Sequence, residues 1–81
     1  MKTTVTFFAA HWKAVGERCI TMDIEPGTTV EELFDMLVER YPDLGELRST
    51  TVLSRNHRVV DGSEALEDGD EVALLSPVGG G

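Results

Sequence analysis

A single cysteine, Cys19, stands in the whole 81-residue chain. No disulfide can therefore close within it, and a reducing compartment is the expected setting. Long apolar runs are missing too: the longest are a few residues, far short of the roughly 20 that a membrane-spanning helix needs. Met1-Lys2-Thr3-Thr4 leads straight into strand-like sequence, with neither the apolar stretch nor the small-residue cleavage site of a secretory leader. A cytoplasmic chain is expected. Basic residues are few, seven Lys and Arg against fifteen Asp and Glu, for a net charge of -8. That balance repels phosphate backbones and anionic lipid heads, which disfavours nucleic-acid and membrane binding. It suits solubility and steering toward basic patches on protein partners.

Catalytic and metal signatures are equally scarce. There is no glycine-rich phosphate loop, no nucleophile elbow and no defensible pair of catalytic carboxylates. His11 and His57 are far from each other and from Cys19, with none of the spacings of a zinc site, so no metal is expected. Asp68-Gly69-Asp70 lacks the alternating oxygen ligands and closing glutamate of a calcium loop and reads as a turn. Cys19 reads as a half-buried strand residue, since only Arg18 offers the positive charge that would lower a thiol pKa. A domain this small buries about 60 to 65% of its unfolded surface. Its stability should be on the order of 4 to 12 kcal/mol, which leaves little margin for an elaborate active site.

What is present is a globular composition, 41% hydrophobic and 27% charged. Thr4-Val5-Thr6-Phe7-Phe8 alternates polar and apolar until its last pair, as a half-buried strand does. Ala9 to Val15 fits one or two helical turns stopped by Gly16. Arg18 to Ile24 alternates again, with Ile20, Met22 and Ile24 on one face. Pro26-Gly27 ends that strand, and Thr29-Val30-Glu31-Glu32 has the form of a capping box. The helix that follows carries Val30, Leu33, Phe34, Leu37 and Tyr41 on one face and is closed by Pro42. The stretch from Leu44 to Ser49 shows no clear period, although Leu44 and Leu47 could pack a short turn under the sheet. Thr51 to Ser54 and Arg58 to Val60 read as short strands around Asn56-His57, and Glu71-Val72-Ala73-Leu74-Leu75 as the last strand.

This order of elements gives an α+β chain with one main helix across a mixed sheet, the order of the β-grasp, or ubiquitin-like, fold. The expected division is a β-grasp domain over 1–76 and a flexible C-terminal tail over 77–81. Two features go beyond folding. The chain ends Ser76-Pro77-Val78-Gly79-Gly80-Gly81, where three glycines add nothing to a core. Pro77 helps stop sheet pairing, and a diglycine end is slender enough to thread a narrow channel. The second feature is apolar residues out of phase with the core. If Val5, Phe7, Val72 and Leu74 face inward, then Phe8 and Leu75 face outward, and so does one of Val59 and Val60, assigned as Val59. Either these residues form an exposed docking patch beside the tail, or the short helix or a loop covers them. Trp12 either packs at a core edge or adds to a partner surface.

The residues that carry a family resemblance are Phe7-Phe8-Ala9 followed by Gly16, Gly27-Thr28-Thr29-Val30 before the helix, Asn56 in the hairpin, and the run from Leu66 to Gly81. That run joins an Asp-Gly-Asp turn, an apolar strand, a proline-valine segment and diglycine. The chain thereby resembles the MoaD and ThiS family of ubiquitin-like sulfur carriers over essentially its whole length, and within it the small subunit of molybdopterin synthase. The resemblance implies that an E1-like partner uses ATP to adenylate the Gly81 carboxylate and that a sulfur donor displaces AMP to leave a thiocarboxylate. The chain itself would bind no cofactor and would not be an enzyme alone. It would act as the sulfur-donating subunit of a heterotetramer with two large subunits, inserting Pro77, Val78, Gly79 and Gly80 into the partner and docking through Phe8, Val59 and Leu75. Three departures bear on the pathway: Ser76 where many members have proline, His11-Trp12-Lys13 where an arginine and an acidic residue are common, and Leu75 in place of a frequent aromatic. The same chemistry could serve tRNA thiolation, or thiamine, cysteine or tungsten-cofactor synthesis. A protein modifier conjugated through Gly81 and a plain interaction module with an inert tail are the readings of a different class.

Overall fold

The computed structural model describes residues 1–76. The main helix begins where the capping box places it: Thr29 Oγ1 accepts from the Glu32 amide at 3.1 Å and Glu32 Oε1 accepts from the Thr29 amide at 2.9 Å. The next two free helix amides, those of Val30 and Glu31, donate to the carbonyls of Glu64 and Gly62, both at 2.9 Å. All these bonds satisfy groups that a helix start would otherwise leave bare. Gly62 permits this approach, because a Cβ there would lie 3.0 Å from Glu31 Cβ.

Around that helix the order is β1 (Lys2–Phe7), α1 (Ala9–Val15), β2 (Cys19–Asp23), α2 (Val30–Arg40), a 3-10 helix (Pro42–Thr50), β3 (Val52–Arg55), β4 (Arg58–Val59) and β5 (Glu71–Leu75). The strands form one five-stranded mixed sheet in the order β2-β1-β5-β3-β4, with β1 and β5 parallel at its centre. The first strand starts two residues earlier than its alternation suggested, and Phe8 is the residue that precedes α1 rather than a strand residue. Met1 extends the pairing further, its carbonyl accepting from the Ile24 amide at 2.8 Å.

One face of the sheet holds the core. Val5, Phe7, Ile20, Met22, Val72 and Leu74 meet Val30, Leu33, Phe34 and Leu37 of α2. Tyr41 stands edge-on to Phe7 with ring centroids 6.4 Å apart. The stretch that showed no period winds into the 3-10 helix, where Leu44 is wholly buried and Leu47 packs at the core's edge. Cys19 departs from its expected half-burial: it is exposed, because it alternates with buried Ile20 and Met22 on a strand at the sheet's edge. Among the described residues, no helix is long and apolar enough to cross a membrane.

Candidate partner-docking face

The sheet's second face carries no helix of the main layer, and strand register says which residues occupy it. Residues paired across neighbouring strands share a face. Cys19 pairs with Thr6, Thr6 with Ala73, Ala73 with Ser54, and Ser54 with Val59. This row crosses all five strands without a charged side chain, in a chain where more than a quarter of residues are charged. The row below it, Thr21, Thr4 and Glu71, meets charge at once. Above it lie Leu75 and its partner Val52, both half-buried.

Parallel pairing sets Phe7 beside Leu74, so the chain leaves both strands at the same end of the sheet. Phe8 follows there and is 48% exposed, against 2% for Phe7. Leu75 follows on the other strand, less open than Phe8 because Val52 lies beside it. Val59 is 73% exposed, while its neighbour Val60 packs partly against the core, as the facing assignment expected. The structure thus brings Phe8 and Leu75 together at one end and places Val59 two strands away from β5 on the sheet's far edge. Pro77, Val78, Gly79, Gly80 and Gly81 lie outside the described residues. The uncharged row between these points was not legible in the sequence, since it exists only through register.

The opposite end of the sheet is closed by one carboxylate. Asp70 is 6% exposed, and its Oδ2 accepts from Arg55 Nε at 2.6 Å and from the Glu67 amide at 2.7 Å. Its Oδ1 accepts from Asn56 Nδ2 at 2.9 Å. Its carbonyl accepts from Thr3 Oγ1 at 2.9 Å and from the Thr4 amide at 3.0 Å. Burial by itself pushes this carboxyl's pKa up, but Arg55, the Glu67 amide and Asn56 together hold it below the ordinary carboxylate range. Asn56 and His57 both take positive φ, 50° and 68°, to make the two-residue turn of the β3–β4 hairpin. Asn56 also exchanges bonds with Glu71, amide to carbonyl at 2.7 Å and Oδ1 from the Glu71 amide at 2.9 Å. Gly69, at φ 87°, turns the chain so that its amide reaches the Lys2 carbonyl at 2.8 Å. The Asp-Gly-Asp turn is therefore a structural fastening of β1, β3 and β5, which the sequence presented only as a turn.

At the Phe8 end α1 packs on the 3-10 helix through His11, which is 1% exposed. His11 Nε2 lies 2.7 Å from Thr51 Oγ1, and that hydroxyl has its own acceptor, the Leu47 carbonyl at 2.6 Å. Imidazole and hydroxyl share this bond, the donor being the ring N–H or the hydroxyl according to tautomer. His11 Nδ1 is buried without a hydrogen-bond partner. Burial pulls the ring's pKa below its ordinary value, partly opposed by the nearby Phe8 carbonyl. Histidine spacing alone gave no hint of this role. Gly16 closes α1, its amide donating to the Trp12 carbonyl at 2.8 Å. Trp12 itself is 41% exposed and lies on the surface rather than in the core.

Among the described residues, an open concavity of about 350 Å³ is lined by Glu31, Phe34, Arg48, Thr51, Leu53, Asp61 and Gly62, and another of about 340 Å³ lies beside Met1, Ile24 and Met36. Among the described residues, no group of three or more His, Cys, Asp or Glu side chains converges as a metal site. The arrangement is suited to presenting a surface.

Comparison with known proteins agrees with that geometry. The molybdopterin synthase sulfur carrier subunit of Chlamydomonas reinhardtii is 32% identical over 83 residues, covering all of both chains. Small archaeal modifier protein 1 of Haloferax volcanii is 34% identical over 82 residues, covering 91% of this chain and 94% of that one. The crystal structure of SAMP1 from Haloferax volcanii superposes with a TM-score of 0.85 at 31% identity, covering both chains fully. A chain of the complex of subunits 1 and 2 of molybdopterin-converting factor from Helicobacter pylori matches with a TM-score of 0.72 at 26% identity, again over the full length of both. The model of the ThiS family matches residues 5–81, from the first buried valine of β1 through the terminal glycine, and the chain belongs to that family.

Proposed function

We propose that this chain carries sulfur on its C-terminal glycine and donates it as the small subunit of a molybdopterin synthase. The observation that carries the reading is the full-length likeness to a molybdopterin synthase sulfur carrier subunit, combined with the family match through Gly81. The likeness to one subunit of a two-subunit molybdopterin-converting factor supports a large-subunit partner. Residues 1–76 act as the docking body and 77–81 as the tail that reaches the reacting centre. The chain works in the cytoplasm and binds no cofactor of its own.

The chemistry follows from the end group. A carboxylate is a poor acyl electrophile, so an E1-like enzyme first lets the Gly81 carboxylate attack the α-phosphate of ATP, releasing pyrophosphate. The acyl-adenylate has a good leaving group: the outer sulfur of a donor protein's persulfide attacks its carbonyl carbon and expels AMP, and a second thiol then cleaves the acyl disulfide, leaving a disulfide between itself and the donor. The thiocarboxylate that results is a sulfur nucleophile held covalently, never released as free sulfide. In the large subunit it would attack a cyclic pterin precursor, and hydrolysis of the acyl group would return the Gly81 carboxylate. Phe8, Leu75 and Val59 dock the body, Pro77 and Val78 direct the tail, and Gly79 and Gly80 admit it to a narrow site. The catalytic apparatus belongs to the partners.

The test is reconstitution. Chain bearing the thiocarboxylate, mixed with the large subunit of its source organism, should form a heterotetramer and convert the precursor to the dithiolene product. A chain lacking Gly81 should assemble but convert nothing; equal conversion by the truncated chain would refute the reading. A second reading is favoured by the 34% identity to a small archaeal modifier protein. It requires conjugation of Gly81 to lysines of other proteins, seen as Gly-Gly remnants on lysine that survive reducing agents.

A further inference from the structure

The sheet has two edges, and they are finished differently. β4 is two residues long and carries Arg58, the short and charged form that discourages a neighbouring strand. β2 spans Cys19–Asp23 without proline, and its pairing with β1 runs unbroken from the Thr6–Cys19 pair to the Lys2–Asp23 pair. The ladder fixes which of its backbone groups are left over. The Met1 amino group donates to the Ile24 carbonyl at 2.9 Å, the Ile24 amide to the Met1 carbonyl at 2.8 Å, and the Phe7 amide to the Arg18 carbonyl at 2.8 Å. Bonded pairs alternate in an antiparallel ladder, so Arg18, Ile20, Met22 and Ile24 turn their amides and carbonyls toward β1. Cys19, Thr21 and Asp23 turn theirs outward, where no other strand of the described residues lies.

The strand runs on into a concavity. About 340 Å³ is open beside Met1, Ile24, Pro26 and Met36, with Asp23 and Glu25 also in its lining. It lies at the end of the sheet opposite Leu75, because Lys2 pairs with Asp23 where β1 begins. Charge at this corner is uneven. Asp23, Glu25 and Asp68, whose carboxylate takes the Lys2 amide at 2.7 Å, gather here, and Glu32 and Glu39 stand about one helical turn to either side of Met36 on α2. Against these carboxylates stand the Met1 ammonium, Lys2, which pairs with Asp23 at 2.9 Å, and Arg40. The balance is acidic, and the side chain of Glu25 is open to solvent.

We propose that the free edge of β2 takes an extended, lysine- or arginine-bearing segment of a partner protein as a sixth strand, and that this segment sets an apolar side chain in the concavity beside Met1 and Met36. Main-chain bonds to Cys19, Thr21 and Asp23 hold such a segment, while the concavity and the carboxylates around it select apolar and basic side chains. Charge decides the occupant. A second copy of this chain would bring a net charge of -8 against another of -8, whereas a basic segment is attracted. The concavity is remote from Leu75, so a segment seated there leaves that end of the sheet open to a different partner. The proposal does not rest on the sulfur-carrier reading.

The probe is a peptide of about seven residues alternating valine and lysine, added to the isotope-labelled full chain, with a valine–glutamate peptide as its counterpart. Hydrogen exchange read by NMR should be fast in the free chain at the amides of Cys19, Thr21 and Asp23 and slow at Ile20 and Met22. The lysine peptide should slow the three outward amides by about tenfold near saturation and shift the Met36 methyl resonance; the glutamate peptide should do neither. Thr21→Pro removes one outward N–H, a change an edge strand tolerates on its solvent side, and should raise the Kd about fivefold or more. Thr21→Val keeps the edge and should leave the Kd within about twofold. Glu25→Lys should raise it about threefold, a difference that high salt removes. Where Thr21→Pro melts below the wild type, Glu25→Lys, at an exposed residue, carries the test. Equal binding of the two peptides, unchanged exchange at the three amides, or protection confined to β5 overturns the proposal. Protection that grows with chain concentration in the absence of peptide overturns it too, since the occupant is then a second copy. Deleting Gly80 and Gly81 should alter none of these values, which separates failure here from failure of the sulfur-carrier reading.

Discussion

The two ends of the sheet are built in opposite ways. At the Asp70 end, the buried side-chain polar groups are matched: the carboxylate takes Arg55, Asn56 and the Glu67 amide, and its carbonyl takes Thr3 and Thr4. At the Phe8 end a buried histidine nitrogen has no partner, a helix begins uncapped, an alanine sits at positive φ and two aromatics face solvent. Parallel pairing of β1 with β5 guarantees that these are opposite ends of the same two strands. Buried polar groups are matched where the strands begin, although Asn56 and His57 take positive φ there, and an unmatched buried nitrogen and an uncapped helix lie where the strands finish. A small domain with one core can tolerate such features only if the rest of the structure over-determines the fold.

The contrast can be broken most severely by Asp70→Ala. It strands Arg55, Asn56 and the Glu67 amide without their acceptor, and urea denaturation should register a loss on the order of 2 to 3 kcal/mol. Thr51→Val, at the other end, removes the hydroxyl that bonds the His11 ring and should cost about 1 kcal/mol. A loss at Thr51 equal to that at Asp70 would dissolve the distinction. Ala9→Gly should act in the other direction and gain up to about 1 kcal/mol, read as a raised melting temperature.

Acid should sharpen the contrast by separating the ends. His11 has a lowered pKa, so the folded state binds its proton less readily than the unfolded chain does. Its contribution is complete above about pH 6.5 and is lost as pH falls through the folded value. Asp70 is lowered from the carboxylate range, so its contribution holds above about pH 4 and fails only below. Hydrogen exchange should therefore show the amides of α1 loosening first as pH drops, and those of β3, β4 and β5 only in stronger acid. Simultaneous loosening would contradict the assignment of His11 as the neutral tie of α1.

Much of this was legible in the sequence, for identifiable reasons. The capping box and the helical spacing of Val30, Leu33, Phe34 and Leu37 are local signals, and the structure places that helix at Val30–Arg40. The exposure of Phe8 followed from phase, whereas phase says only that one of Val59 and Val60 faces out, and the choice of Val59 rests on the Phe8 and Leu75 surface needing a neighbour. The 3-10 helix was not legible, because its only buried residue is Leu44 and its packing partners belong to other elements. Nor was the role of Asp70, whose side-chain partners Arg55 and Asn56 are 15 and 14 residues away in sequence. The uncharged row from Cys19 to Val59 required a register that no alternation supplies. His11 read as isolated because its partner, Thr51, is 40 residues away in sequence.

The central claim is that the tail end does the chemistry while the Asp70 end only holds the domain together. Intact-mass spectrometry of the chain after incubation with the E1-like enzyme, ATP and a sulfur donor tests it directly. One oxygen should be exchanged for sulfur, fragmentation should place the sulfur on Gly81, and a folded chain lacking Gly80 and Gly81 should gain nothing. An unchanged mass, or sulfur found on Cys19 instead, would contradict the account.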